Sequence, residues 1–508
     1  MRTRRKNLVK QFVSIIYFIL LLTIDLNAYS QKKSDKVSVA NLNEELLKLS
    51  KDDVLKNGSL GFCLVSVKTG EVIAQYKSNS SMIPASTLKV LTTGTALSLL
   101  GKKYHFTTKL EYDGNIDNSG TLHGNLYITG GGDPALASEI FYNGNKLDDL
   151  LNRWTNALKS KGIKKIEGKI IGDAGIFDES PISSNWVWGD IGNYYAAGAS
   201  GLSIYENMFK VFIQPGTSQG DSAKVVKTFP DMKFVELVNK VKTGLPKSGD
   251  NVVIYGSPFS NKRILTGTVP AQKDPFIVKA SMPDPAYFCA YSFCSKLKDV
   301  NVMVSSEPST TRIMKEMNLP VEENRKTLYS IQSPSLDSII YFTNMFSINS
   351  YAENLLRTAG LKNKGNGTAF SGISTVKEFM RKMGIVTEGL KLQDGSGLSP
   401  LNLVTPYQMT MFLKQMTKEP DFNAFYKSLP VAGLTGSIRR NFKNTSAHGN
   451  LRAKSGYITG VRSYAGYFED NKGEKYAFTL IVNNYNCSPY AMKKKLEELM
   501  TIMTETEY

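Results

Sequence analysis

The chain has 508 residues, more than one ordinary domain holds, and its 41% hydrophobic and 21% charged residues exclude a disordered or fibrous protein. The formal charge of +17 comes with no nucleic-acid-binding module, so it is read as retention near a membrane surface or anionic wall polymers, against a merely solvated basic surface. The four cysteines, Cys63, Cys289, Cys294 and Cys487, have no metal-ligand spacing.

Arg2, Arg4, Arg5, Lys6 and Lys10 precede an apolar run at 12–24, and Ala28-Tyr29-Ser30 follows it. The run is too short for the roughly 20 residues of a spanning helix, which predicts a secretory signal over 1–30, with an uncleaved anchor as the competing reading. Its removal takes away five basic residues and Asp25 and leaves +13. Export permits a disulfide; Cys289 and Cys294 are the nearest pair, and four unpaired thiols are the alternative.

Residues 61–67 and 71–76 read as a hairpin turning at Lys68-Thr69-Gly70. It leads towards Pro84-Ala85-Ser86-Thr87-Leu88-Lys89, at the head of an aliphatic helix over 90–100 that ends at Gly101. A spacing of three puts Ser86 and Lys89 on one helix face about one turn apart, where the amine can accept the hydroxyl proton. Ser30–Lys33, Ser295–Lys298 and Ser374–Lys377 share that spacing, but small residues and proline ahead and the helix behind favour Ser86. No histidine triad competes, since His105, His123 and His448 lie in unrelated contexts.

From about 102 to 330 short alternating runs, among them 108–112, 122–128, 163–171 and 252–255, are bounded by Gly, Asn or Asp, with few long helical patterns. This predicts inserted β-rich material, subdivided near 246–250. Helical spacing returns at 335–346, 351–359 and 374–383; a second hairpin spans 461–468 and 475–483, and 490–503 reads as a closing helix. The expected class is α+β, an antiparallel sheet with helices built from both chain ends. Its expected parts are 31–105 with 328–508, an insert of 106–205 with 290–327, and a nested unit of 206–289.

Two further motifs follow in order, Ser347-Ile348-Asn349 and Lys454-Ser455-Gly456. Acyl transfer by a serine–lysine pair needs a group that shuttles a proton to the leaving amine, an amide that holds substrate and a cation for a carboxylate. Ser347, Asn349 and Lys454 supply these. Ser455 adds a hydroxyl, and Gly456 lets a substrate backbone lie close to an edge strand.

This ordered set resembles the DD-peptidase and serine β-lactamase superfamily of penicillin-binding proteins. Ser86 and Ser347 stand 261 residues apart, and a large insert there is similar to the class C low-molecular-weight D-alanyl-D-alanine carboxypeptidases, peptidase family S13. The likeness covers nearly all of the mature chain. Tyr127-Ile128-Thr129-Gly130-Gly131-Gly132-Asp133-Pro134, Gly172-Asp173-Ala174-Gly175-Ile176-Phe177, Tyr351-Ala352-Glu353-Asn354 and Asp394-Gly395-Ser396-Gly397-Leu398-Ser399 resemble that family too. On their own chemistry, the triple glycine is a turn rather than a phosphate cradle and 394–399 a tight loop.

The resemblance implies the serine β-lactamase/DD-peptidase fold and an exported peptidase of the periplasm or cell envelope, working without a cofactor. Its substrates would be peptidoglycan stem peptides, trimmed of terminal D-Ala or freed from cross-links, and β-lactams would be acylating inhibitors. Ser86 would be the nucleophile and Lys89 its base, made less basic by Lys454 and partial desolvation. Ser347 would relay the proton, with Asn349, Ser455, Gly456, Tyr457 and Thr459 along the substrate and the Ser86 and Tyr457 N–H groups as oxyanion hole. The chain departs from the family at Ile348, usually aspartate, at Ser455, usually threonine, and at Pro400, an arginine in relatives that take diaminopimelate. Asp173, with Phe177 nearby, matches an acidic position facing the ammonium of that side chain. A β-lactamase and a catalytically silent wall-binding protein are the alternative readings.

Overall fold

The structure, a computed structural model, describes residues 37–141 and 146–508; the expected signal segment and the Ser30–Lys33 pair lie outside the described residues. The two chain ends build one antiparallel sheet of five strands, named in chain order β1 (Ser59–Ser66), β2 (Val72–Tyr76), β3 (Arg452–Ile458), β4 (Val461–Glu469) and β5 (Lys475–Asn483). They lie in the order β3-β4-β5-β1-β2. Among the helices that accompany it are α1 (Val39–Ser50), α2 (Lys89–Leu100), α3 (Leu336–Phe346), α4 (Asn349–Lys364), α5 (Ala369–Lys382), α6 (Pro406–Met416) and α7 (Pro489–Glu505), with a short helix, Phe422–Ser428, after α6.

Period-two alternation divides the sheet between two cores. Phe62 and Leu64 of β1, Tyr464 and Phe468 of β4 and Phe478, Leu480 and Val482 of β5 pack with α1 and α7 through Leu42, Leu46, Met492, Leu496 and Met500. Ala465, Tyr467, Ala477 and Ile481 face the other way, towards α2 to α6. Each buried large apolar side chain contributes about 1.5–3 kcal/mol, which holds β5, between β4 and β1, under helices on both faces. Among the described residues no helix is long and apolar enough to cross a membrane.

Between α2 and α3 the described residues make four further sheets. Thr107–Tyr112, Leu126–Thr129, Ile170–Asp173, Ser309–Thr310 and Lys326–Gln332 share one; strands between Met208 and Ser281 make two others. The runs at 122–128 and 163–171 are not single strands: each splits into two, Thr121–His123 with Leu126–Thr129 and Lys165–Ile166 with Ile170–Asp173, in different sheets. The two breaks meet, with the Gly168 N–H donating to the Gly124 carbonyl at 3.0 Å. A Cβ on either glycine would collide with backbone oxygen.

This region is also more helical than expected. Helix Lys146–Ser160 buries Leu147, Leu150, Leu151, Trp154 and Leu158, a spacing legible in the sequence, and helix Pro285–Asp299 buries Phe288, Phe293 and Leu297. Cys289 and Cys294 both lie on the second helix, five residues and therefore about 140° apart around its axis. They cannot bridge without unwinding it, and all four cysteines are free thiols.

Candidate active site

Ser86 sits in a short 3-10 turn, Ala85–Leu88, that runs straight into α2. Ala85 ahead of it has a left-handed φ of 46°, strain that persists only where the surroundings enforce it. Here they do: the Pro84 carbonyl accepts the Thr87 hydroxyl at 2.7 Å and the Ser463 hydroxyl of β4 at 2.5 Å. Lys89, on the first turn of α2, is fully buried. Its Nζ contacts Ser86 Oγ at 3.0 Å, Asn349 Oδ1 at 2.5 Å and the Ser396 carbonyl at 2.7 Å. Three acceptors match the three N–H bonds of an ammonium; the free amine keeps two and turns its lone pair to the serine hydroxyl.

Burial pushes the Lys89 amine down to about 7, while the negative charges of Asp394 and Glu353 pull the other way. Full burial, not Lys454 with partial desolvation, is thus the main cause of its weakened basicity. Lys454 is itself held well below the usual lysine range, by burial first and by Lys89 second.

The Ser347-Ile348-Asn349 motif joins α3 to α4. Ser347 caps α3 in the left-handed conformation (φ 59°, ψ 42°), and Ile348 precedes α4 in an extended one. The motif spans two helix ends, so its side chains are placed by two packed helices. Ser347 Oγ accepts from Lys454 Nζ at 2.9 Å, and Asn349, whose Oδ1 accepts from Lys89, donates its Nδ2 to the Tyr195 carbonyl at 2.6 Å. Ile348 packs against the helical core and borders the cavity.

Lys454, Ser455 and Gly456 lie on β3, the sheet edge. Lys454 is fully buried and also donates to the Ser455 carbonyl at 2.7 Å; the Ser455 and Ser437 hydroxyls are 2.7 Å apart. Gly456 is where the edge meets the serine turn: a Cβ there would collide with the Ser463 hydroxyl oxygen and lie 2.7 Å from the Pro84 carbonyl oxygen and 3.0 Å from the Ser86 nitrogen. Tyr457 is half-exposed beneath the Arg462 guanidinium, 4.5 Å from its ring centre.

These groups converge on a cavity of about 840 Å³ lined by Ser86, Ser347, Asn349, Tyr457 and Thr459 from the outer part and by Asp190, Tyr194, Tyr195 and Lys279 from the insert. Lys89 and Lys454 stand behind its wall. Two expected residues are elsewhere. Asp173 does not border this cavity: its carboxylate is taken by Arg325 Nη1 at 2.6 Å, the Thr311 hydroxyl at 3.1 Å and the Gly175 N–H at 3.0 Å. Phe177 is buried beside Gly132 and lines a separate cavity of about 270 Å³.

Two insert acids border the site: Asp190, whose Oδ1 accepts the Tyr195 hydroxyl at 2.9 Å, and the buried Glu206, whose Oε1 accepts the Ser138 hydroxyl. The only sequence signal for Asp190 is an acidic residue among aromatics and glycines, Trp188-Gly189-Asp190-Ile191-Gly192-Asn193-Tyr194-Tyr195. Sequence reasoning also leaves Glu353 and the 394–399 loop without a role. In the structure Glu353 Oε1 accepts the Gly395 and Ser396 N–H groups, each at 2.9 Å, and so aims the Ser396 carbonyl at Lys89.

An antiparallel sheet with helices on both faces, a serine on the turn into a buried helix, and a lysine one turn on define a protein of the serine DD-peptidase and β-lactamase class. The chain belongs to the D-Ala-D-Ala carboxypeptidase 3 (S13) family, whose profile matches residues 42–506. It is 28% identical over 462 residues to the D-alanyl-D-alanine carboxypeptidase of Actinomadura sp. (strain R39), covering 89% of this chain and 82% of that protein. Against the D-alanyl-D-alanine carboxypeptidase DacB of Haemophilus influenzae, identity is 26% over 450 residues, covering 88% and 89%. The crystal structure of penicillin binding protein 4 (dacB) from Haemophilus influenzae shares the fold, with a TM-score of 0.77 at 24% identity over 92% of this chain and 99% of that one.

Proposed function

We propose that the protein is a serine-type D-Ala-D-Ala carboxypeptidase that acts on peptidoglycan stem peptides through an acyl-enzyme on Ser86. The observation that carries the mechanism is the 3.0 Å contact between Ser86 Oγ and a fully buried lysine amine that titrates near 7. Unprotonated Lys89 takes the hydroxyl proton as Ser86 attacks the penultimate D-Ala carbonyl. The N–H groups of Ser86 and Tyr457 receive the developing oxyanion, an interaction worth about 3–4 kcal/mol per donor in other enzymes.

Ser347 passes the proton to the leaving nitrogen, the C–N bond breaks, and free D-Ala departs. Asn349 holds the peptide, and Lys454 and Ser455 receive the terminal carboxylate. Water, activated by the same amine, attacks the ester, which frees the shortened peptide acid and returns the proton to Ser86. The edge of β3, with Gly456, Tyr457 and Thr459, is the natural track for the substrate backbone. Asp190 is the acid we assign to an ammonium on the stem-peptide side chain, since Asp173 is already paired with Arg325 and Glu206, the other acid of the cavity, is buried and held by the Ser138 and Tyr351 hydroxyls.

Cleavage of cross-links is a second activity of the same chemistry, supported by the size of the cavity. The location proposed is the periplasm or cell envelope, with peripheral association with membrane or anionic polymers, supported by the basic and apolar N-terminal segment and the charge of the remaining chain. We place the catalytic unit at 31–105 with 328–508, the insert at 106–205 with 290–327 and the nested unit at 206–289. The test is covalent labelling by a tagged penicillin together with release of D-Ala from a pentapeptide. Wild type should do both and Ser86→Ala neither; equal labelling of the two would overturn the proposal.

A further inference from the structure

We propose that Trp186, supplied by the insert, is a positioning residue for Lys89 and acts through the loop 394–399. The inference rests on the acyl-serine reading above and adds a component that no motif contains. The indole Nε1–H donates to Asp394 Oδ2 at 2.8 Å. That carboxylate also accepts the Ser399 N–H at 2.7 Å on Oδ2, and the Gly397 N–H at 2.8 Å and the Asn402 side-chain amide at 2.9 Å on Oδ1. Four donors on a fully buried carboxylate leave the loop one arrangement, and the insert supplies one of the four.

What the loop holds is the lysine. The Thr92 hydroxyl of α2 binds the Gly395 carbonyl at 2.7 Å, and Glu353 binds the Gly395 and Ser396 N–H groups, so the Ser396 carbonyl meets Lys89 Nζ at 2.7 Å. On its other side Gly397, in a left-handed conformation (φ 81°), packs so closely on the Ala85 carbonyl that no Cβ fits between them. A shift of this loop therefore moves the acceptor of Lys89 and the turn that carries Ser86 together.

The insert grips the loop at more than one point. Asn185 Nδ2 donates to Gln393 Oε1 at 2.8 Å, and the Trp186 ring packs with Leu398, which borders the Ser86 cavity. Asp178 approaches Arg357 Nε at 3.6 Å, and Arg357 Nη1 lies 3.3 Å from Glu353 Oε2. An aromatic ring alone would serve packing; the N–H aimed at a buried carboxylate beside the catalytic amine is what a positioning role requires. Trp186 is absent from the residues lining the substrate cavity, so its loss should change turnover rather than substrate binding.

The experiment replaces Trp186 in the full chain by 3-benzothienyl-alanine, an isostere with sulfur in place of N–H, beside Trp186→Phe. Acylation by a fluorescent penicillin, kcat and KM for D-Ala release, and the thermal melt are measured for each. Loss of a hydrogen bond to a buried charge predicts acylation and kcat lower by about tenfold to a hundredfold in the isostere, with KM within about twofold and a cooperative melt lowered by no more than a few degrees. If Trp186→Phe fails to fold, the isostere decides. Acylation by the isostere within about twofold of wild type, or a change confined to KM, would overturn the inference. Wild-type protein that takes no penicillin label would instead overturn the acyl-serine reading.

Discussion

The amine of Lys89 lies 3.0 Å from the hydroxyl of Ser86, and its other two contacts, Asn349 Oδ1 and the Ser396 carbonyl, come from elements 260 and 307 residues further along the chain. A lysine so enclosed is a base at neutral pH because water cannot solvate its charge. The pair is local in sequence, but its reactivity is set by distant parts of the fold.

The first expectation concerns pH. The reactive form is the free amine, and with Lys89 titrating near 7 the acylation constant should rise about tenfold per pH unit below that value and level off above it. Stability should follow the same group. Folded Lys89 binds its proton less tightly than an unfolded lysine at about 10.4, so the unfolded chain holds more protons between the two values and wild type gains stability as pH rises through that window. Lys89→Met should abolish acylation yet melt higher than wild type near pH 7, with the difference shrinking towards pH 10. A melting difference that is flat with pH would show that the buried amine is not the cause.

Gly456→Ala tests the junction between the sheet edge and the serine turn. The added methyl would displace the Ser463 hydroxyl that binds the Pro84 carbonyl and would crowd that carbonyl and the Ser86 nitrogen. Overpacking of this kind costs about 1–3 kcal/mol of stability, and acylation should fall by more than about a hundredfold because the nucleophile itself is displaced. Denaturant midpoints and penicillin labelling measure the two effects; unchanged labelling would mean that the turn yields freely.

Asp190 and Asp173 separate by their partners. For a stem peptide with a cationic side chain, Asp190→Asn should raise KM by about tenfold, the scale of one hydrogen bond to a charged group, and leave a neutral analogue and penicillin unaffected. Asp173→Asn should leave KM alone and cost about 3 kcal/mol of stability, since it strips Arg325 of its largely buried counter-ion. Steady-state kinetics on the paired peptides and urea unfolding distinguish the two; a KM effect at Asp173 would restore it to the site.

With every thiol free and two of them on separate faces of one helix, reductant should not move the melting temperature. Burial pushes the Cys63 thiol up to about 12, so alkylation of this residue at pH 8 should require unfolding. A drop in melting temperature with dithiothreitol would reveal a disulfide.

Several elements were legible before any coordinates because their signals are local. Alternation in 475–483 marks a strand, the apolar spacing behind Ser86 marks α2, and Pro, Ser and Gly punctuate their ends. The breaks at Gly124 and Gly168 were not legible: each is made by the other, across forty-four residues. Asp173 reads as a pocket acid because its neighbours match a family pattern, and only the fold shows that Arg325, 152 residues further on, pairs with its carboxylate.

The sequence by itself determined the order of Ser86, Lys89, Ser347, Asn349 and Lys454 and the α+β character of the chain ends, because chemistry and periodicity are written residue by residue. The tertiary structure decided what those residues can do. It buried Lys89 until its amine titrates near neutrality, seated Ser347 against Lys454, set Asp190 at the cavity while pairing Asp173 with Arg325, and brought Trp186 to the loop behind the base. Desolvation and long-range contact depend on the whole packed chain, and no local pattern carries them.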